Sequence, residues 1–473
     1  MPLFVILLII IALYARTYNN YYLIDDYSPR HQYPHPEKKT KDPKFYLTKP
    51  NWWVHPFMIA MHCVNTSIIY LLWGWAPAIL FAVHPMTMWG AAWLTGNWYA
   101  TTTYFILISF YFLTHFPGWG IAPAMIFYYV AMYSTFDAIP YPFILILSGN
   151  ILPGVLMLPL TGMFLSSRKF QDGLKGRESI NKGRYIDRMD FPINRLAVMV
   201  KTTALYVQEA LIPMKIKLFE PYGESIRDHQ HIYDKMHAWN ANFWAALALL
   251  VVTFFGGLLV SPLGTLWFFV FIGLHCQFQL TGQNYAQRYL YIALPGMCLV
   301  AGTILVKWPW VLMMAVGFMI CKTHTYMKKW KNQEDFLISE IDTVPERAGT
   351  YGTLFQLYFT IASIEGYQPY MINLMGYLIR RSVEMDQNCW QTRMNLCAYL
   401  CKIGRAEEGI AEGEDTLKLM EKHCNIHERH LIDELKDQQI RWRKIANDTA
   451  LRKELALRTS GKPSKINKKY FIK

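Results

Sequence analysis

Charge is scarce in this chain of 473 residues: only 17% is Asp, Glu, Lys or Arg, against 53% hydrophobic and 15% aromatic. A water-soluble chain of this length would be about a quarter charged. Paired cysteines are missing as well. The eight cysteines are scattered, none forms a C-x-x-C pair, and Cys397 and Cys401 stand at the i, i+4 spacing of one helix face. That excludes a zinc ribbon and a disulfide framework. No glycine-rich phosphate loop of the Walker or dinucleotide type is present, which excludes nucleotide-driven work. The first apolar run, from Pro2 to Tyr14, lacks a basic leader and a small-x-small cleavage site before Tyr18, so it reads as an anchor.

What is abundant is apolar sequence in blocks. A spanning helix needs roughly 20 apolar residues to cover about 30 Å of hydrocarbon. Candidate spans lie at 2–15, 56–73, 76–93, 99–115, 121–136, 141–165, 194–213, 239–260, 262–280, 287–306 and 308–322, about eleven in all. Tryptophans mark several ends: Trp52 and Trp53, Trp73 and Trp75, Trp93 and Trp98, Trp308 and Trp310. Beyond Lys322 charges become dense and apolar residues fall to helical spacing. The chain therefore reads as all-α: a membrane domain over 1–322, a soluble helical domain over 323–458, and a basic disordered tail over 459–473.

The net charge of +13 sits in links beside apolar runs and in the tail. That pattern suits topology signals and anionic lipid, with no recognisable nucleic-acid motif. The longest basic link between spans, Ser166 to Arg195, is assigned to the cytoplasm by the positive-inside rule. Counting crossings from it sends Asp25-Asp26, Asp137, the Pro213–Ala238 link and the Thr281–Arg288 link to the opposite, non-cytoplasmic face. The basic segment Lys322–Lys331 argues for the other side of the tail.

Four polar groups gather on that face. Carboxylates held beside a membrane helix cost desolvation, so Asp25-Asp26 is either an Asx-type turn leaving a helix or a pair with a functional role. Asp137 is a helix cap or a site residue. Arg288 heads a span, where it snorkels or holds a phosphate by paired hydrogen bonds. Asp228, His231 and Asp234 would share one helix face, as a metal site or as an interfacial polar helix, and the latter is preferred. His55, His62 and Asn65 on the second span, and His84 in the third, add hydrogen-bonding groups at the boundary. A carboxylate that takes a hydroxyl proton and an arginine that steadies a departing phosphate together suit transfer from a lipid-phosphate donor.

The order of these passages resembles the GT-C superfamily of multi-pass glycosyltransferases, and most closely the protein O-mannosyltransferases with C-terminal tetratricopeptide repeats. The acidic pair Asp25-Asp26 falls in the first external loop, as the superfamily's acidic motif does. His62-Cys-Val-Asn65 looks like the family's H-x-x-N span. Leu80-Phe-Ala-Val-His84-Pro85, followed by Ala91-Ala-Trp-Leu-Thr-Gly96-Asn97, looks like its F-A-x-H-P and V-A-W-x-x-G-R stretch. Gln287-Arg288-Tyr289-Leu290-Tyr291 looks like its E-R-Y-L-Y. Gln287, Asn97 and Phe136-Asp137 depart from the family's glutamate, arginine and lysine-glutamate pair. In the tail, Trp390 to Lys422 with a turn at Gly404 looks like one repeat unit, Tyr351–Ile364 and Pro369–Arg381 like a degenerate one, and His430–Arg458 like a long charged helix.

The resemblance implies an inverting glycosyltransferase. Asp25 or Asp26 would be the base, Arg288 would bind the donor phosphate, and Asp137, His55, His62, Asn65 and His84 would orient substrate. It implies a polyprenyl-phosphate sugar as co-substrate, mannose first among sugars; no further cofactor is indicated, and for a metal the sequence offers Asp228, His231 and Asp234 alone. It also implies a protein or glycan acceptor met through the helical repeats, and a bacterial inner-membrane or endoplasmic reticulum location with the site on the periplasmic or lumenal face. The competing reading is a non-enzymatic transporter or assembly scaffold. A transporter would place charges near the bilayer midplane on broken helices; here the charges lie at span ends.

Overall fold

A computed structural model describes residues 1–21, 50, 52–168, 170–172, 192–213, 239–278, 286–343, 345, 348–387, 389–423 and 429–447. Among these residues every regular element is helical. Asp25, Asp26, Asp228, His231 and Asp234 lie outside them, as does the 459–473 tail. The chain forms two compact units that divide between Phe336 and Leu337. The boundary expected at 322 falls inside an unbroken helix, Pro309–Lys329, whose backbone bonds carry it through the basic segment.

In the first unit the helices are α1 Leu3–Tyr14, α2 Val54–Trp73, α3 Trp75–Val83, α4 Met88–Ala91, α5 Asn97–His115, α6 Ile121–Ser134, α7 Tyr141–Leu147 and α8 Ile151–Leu165. They continue as α9 Pro192–Leu211, α10 Ala241–Val260, α11 Pro262–Gly273, α12 Leu290–Leu305 and α13 Pro309–Lys329. Among the described residues three helices are long and apolar enough to cross a membrane: α2, α10, and α12 with the 3-10 turn Gln287–Tyr289 before it. α10 turns apolar side chains outward along its length, with Leu259 90% exposed, as a lipid-facing helix would. α12 is the central helix, buried from Leu290 through Cys298.

Two expected spans are not single helices. Over 76–93 the chain breaks at His84-Pro85. Proline removes the N–H that would continue α3 and pushes the preceding residue out of the helical region, and His84 is extended at ψ 129. Over 141–165 the chain doubles back. α7 stops after seven residues, Gly149 takes a left-handed φ of 90° that a side chain would strain, and α8 returns antiparallel along it. Gly154 permits the contact: a Cβ there would lie 2.6 Å from the Ile146 side chain. Phe164 and Phe170 then close on Phe136, at 6.0 and 5.2 Å between ring centroids. The end of α8 is thus beside the end of α6, and the basic link at 166 begins at the same end of the unit as Asp137. Counting crossings put it at the opposite end, because one span was counted where two limbs exist.

Close backbone approach fixes α11 against α12. A Cβ on Gly296 would lie 2.7 Å from the Phe268 backbone nitrogen and 2.8 Å from the Trp267 Cβ. Gly296→Leu is therefore expected to cost about 1–3 kcal/mol by overpacking, read as a lowered melting temperature of the detergent-solubilised protein; an unchanged melt would show that the helices can part freely.

The second unit holds α14–α19. After α14 (Gln333–Thr343), which straddles the division, come α15 Ala348–Glu365, α16 Pro369–Met385, α17 Trp390–Lys402, α18 Ala406–His423 and α19 Arg429–Asn447. α17 and α18 are the helix–turn–helix expected over Trp390–Lys422, with Gly404 at φ 86° in the turn. Cys397 and Cys401 do share one helix face. They pack with Trp390, Met420, Leu435 and Trp442, and burial pushes both thiols up to about 12. α15 and α16 form the preceding hairpin, tied by the Ser382 hydroxyl donating to the Ala348 carbonyl at 2.7 Å.

Candidate functional site

Several connections converge at one end of the first unit. Asp137 lies in the 3-10 turn Phe136–Ala138 that caps the exit from α6. Opposite it the chain leaves α11 in a π-helical turn, Leu274–Phe278, which carries His275. Such turns are rare and cluster at functional sites. His275 Nε2 donates to Asp137 Oδ1 at 2.9 Å, and both side chains are nearly buried. The imidazole lies flat on Tyr289, 3.8 Å between centroids and 7° between planes. The Arg288 guanidinium carbon stands 5.1 Å from the Tyr289 ring centroid and 6.0 Å from that of Trp93. Tyr99, in the first turn of α5, meets Tyr289 edge-on at 6.0 Å. From α9, the Tyr206 hydroxyl accepts the Ala286 N–H at 3.1 Å and pins the residue before Gln287-Arg288.

The result is a cation seated between aromatic faces, with a carboxylate–imidazole pair beside it. A guanidinium can lie on aromatic rings and still direct paired in-plane N–H groups to an oxyanion, and Arg is the residue type suited to that geometry. Asp137 and Arg288, both chosen from sequence, belong to this cluster. His275, Tyr289 and Tyr99 were not expected there, and Trp93, read as an interfacial belt residue, is buried within it. A lone histidine inside the apolar run 262–280 was the available signal for His275.

His62, Asn65 and His84 lie elsewhere. His62 Nε2 donates to the Ala82 carbonyl at 3.1 Å, so Nδ1 accepts from the Tyr291 hydroxyl at 2.9 Å. The Asn65 amide donates to the Ala100 carbonyl at 2.9 Å and to the Tyr291 oxygen at 3.3 Å. All three are fully buried, one helical turn beneath Arg288. They reach the site through Tyr291, whose hydroxyl they hold, rather than by touching a substrate. His84 accepts from the Met86 N–H at 3.2 Å and donates to the Ala210 carbonyl at 3.1 Å, capping the break after α3. His55 is buried in the first turn of α2 beside the Asn20 main chain.

The start of the acidic loop lies at this same end. Tyr21, the last described residue before it, donates its N–H to the Lys331 carbonyl at 2.9 Å. Trp330 meets Trp89 edge-on at 4.7 Å, and Trp89 meets Trp93 edge-on at 5.4 Å, which leads to Arg288. At the other end of the unit the links are tight, such as Gly74 and the turn His115–Gly120.

The described protein is thus an all-helical chain with three helices fit to cross a membrane and a polar, aromatic cluster at one end of them. Comparison with protein-family models, curated proteins and solved structures finds no match. Among the described residues no group of three or more His, Cys, Asp or Glu side chains is placed to hold a metal ion.

Proposed function

We propose that the chain is an integral-membrane inverting glycosyltransferase that moves a sugar, mannose first, from a polyprenyl-phosphate carrier to a hydroxyl of a protein or glycan. The observation that supports this most is the gathering of Arg288, Asp137 and the root of the Asp25-Asp26 loop at one end of the first unit, independent of any count of crossings. Chain geometry keeps Asp25 within about 14 Å of Tyr21. Asp25 or Asp26 takes the proton of the attacking hydroxyl. Arg288 holds the donor phosphate, which departs without a general acid. Asp137 acts through His275, and His62 and Asn65 act through Tyr291. The helix pairs of the second unit are tetratricopeptide-like and present the acceptor. The shorter apolar helices supply further crossings, about ten in all once α7 and α8 enter and leave at the site's end rather than cross as one span.

The test is a transfer assay on the purified, lipid-reconstituted protein with radiolabelled polyprenyl-phosphate mannose and polyprenyl-phosphate glucose, and whole-cell protein as acceptor. Label is expected in protein. Label that stays on lipid with both donors would sink the proposal.

The site's side of the membrane is assigned as non-cytoplasmic on the resemblance, since the basic link at 166 starts at that same end. A cysteine placed at Ser167 and one placed at Trp52 are expected to react with an impermeant maleimide from outside, and one at Gly118 only after permeabilisation. The reverse pattern would put the site in the cytoplasm. Reaction of Ser167 and Gly118 from one side would contradict the α7–α8 hairpin.

A further inference from the structure

His275 carries more than an ion pair. Its side chain is over nine-tenths buried. Because Asp137 accepts from Nε2, the neutral imidazole is fixed as the Nε2–H tautomer and its Nδ1 lone pair is left as an acceptor. That Nδ1 is buried and has no hydrogen-bond partner among the described residues. A buried acceptor left unmet loses its hydration without a replacement bond, and such atoms in a folded protein call for a use. The π-helical turn that presents it and the flat stack on Tyr289 hold the ring so that it cannot turn away. Carboxylate, imidazole and open ring nitrogen repeat the arrangement by which Asp–His pairs elsewhere receive a hydroxyl.

We infer that the Asp137–His275 pair is a hydroxyl-binding site, in which His275 Nδ1 accepts a hydrogen bond from a sugar hydroxyl of the lipid-linked donor or from the acceptor's hydroxyl. The inference deepens the glycosyltransfer reading and rests on it. The ligand group must carry a hydrogen-bond donor, because the Nδ1 of the Nε2–H tautomer offers a lone pair. An anion belongs instead to Arg288, on the edge of the same Tyr289 ring, so a sugar attached to a phosphate presents both groups within the span of one ring. His275 is on this account a positioning residue: no bond is made or broken at it.

Two substitutions separate the roles of the two ring nitrogens. His275→Gln places an amide where Nε2 was, keeps a donor to Asp137 and removes the acceptor at the Nδ1 position. His275→Asn keeps a polar atom near the Nδ1 position and gives up the bond to Asp137. Equilibrium binding to the full-length, lipid-reconstituted protein would be measured with polyprenyl-phosphate mannose, with polyprenyl phosphate lacking sugar, and with a threonine-rich peptide. Melting temperatures would be followed alongside. His275→Gln is expected to weaken one hydroxyl-bearing ligand about tenfold while leaving bare polyprenyl phosphate unchanged. His275→Asn is expected to recover most of that loss. Weakening of the sugar-bearing lipid alone identifies the donor hydroxyl, and weakening of the peptide alone identifies the acceptor's. Equal loss for all three ligands, or none, overturns the inference. Selective weakening in a protein that transfers no sugar would keep the hydroxyl site and remove the enzymatic reading; turnover with no selective weakening would do the opposite.

Discussion

Asp25→Asn/Asp26→Asn together are expected to lower kcat for sugar transfer by about a thousandfold or more, with the melting temperature and the binding of donor lipid little changed. The reasoning has three links. A hydroxyl attacking a sugar carbon must lose its proton, and a carboxylate is the group best placed to take it when a phosphate, which needs no protonation, is leaving. Among the carboxylates at this end, Asp137 already gives an oxygen to His275 at 2.9 Å. The segment that follows Tyr21 supplies the remaining adjacent pair. Asparagine keeps shape and hydrogen-bonding capacity but cannot accept the proton. The single variants identify the base: one should fall nearly as far as the double, since groups acting as a unit are not additive, and the other should retain much of the activity. Turnover of the double variant at wild-type rate would remove the acidic pair from the mechanism.

Arg288→Ala should reduce kcat/KM by about a hundredfold, and Arg288→Lys by about tenfold, for any polyprenyl-phosphate sugar. Arginine here does two things that lysine cannot do together. It lies against Tyr289 and Trp93, and it offers paired N–H groups in a plane to a phosphate. Lysine keeps the charge and loses the planar stack and the second hydrogen bond. The loss should fall on both kcat and KM, because phosphate is bound in the ground state and gains charge as it departs. The measurement is steady-state transfer at varied donor lipid, with binding of bare polyprenyl phosphate as the control. If that lipid binds Arg288→Ala as tightly as wild type, the phosphate sits elsewhere.

The two variants differ in what they disturb. Asp25 and Asp26 lie outside the described residues, whereas Arg288 is packed at the head of α12, one turn above the Tyr291 hydroxyl that His62 and Asn65 hold. Gly90 packs flat against the same Tyr291 ring, where a Cβ would come within 2.5 Å. The passages that look like the H-x-x-N, H-P and R-Y-L-Y stretches are therefore neighbours in space. Much of what they share is the placement of one helix head.

Sequence alone determined the helical character, the pair of helices around Gly404, the shared face of Cys397 and Cys401, and the change of composition toward the second unit. These follow from local rules: the spacing of apolar residues, the freedom of glycine at positive φ, and the density of charge. Sequence also placed Asp137 and Arg288 among the residues worth watching, because a charge at the end of an apolar run is conspicuous. Only the tertiary structure decided where those charges go. The partner of Asp137 is His275, 138 positions further along, and no periodicity links them. The doubling back of 141–165 turned on one glycine and on the fit of Gly154 against Ile146, a packing fact invisible in an unbroken apolar run. Trp93 looked like an interfacial residue and is a buried wall of the site, because α4 folds it inward after the break at Pro85. Local chemistry sets which elements form; which of their polar groups meet is set by how those elements pack, and that depends on side chains far apart in the chain.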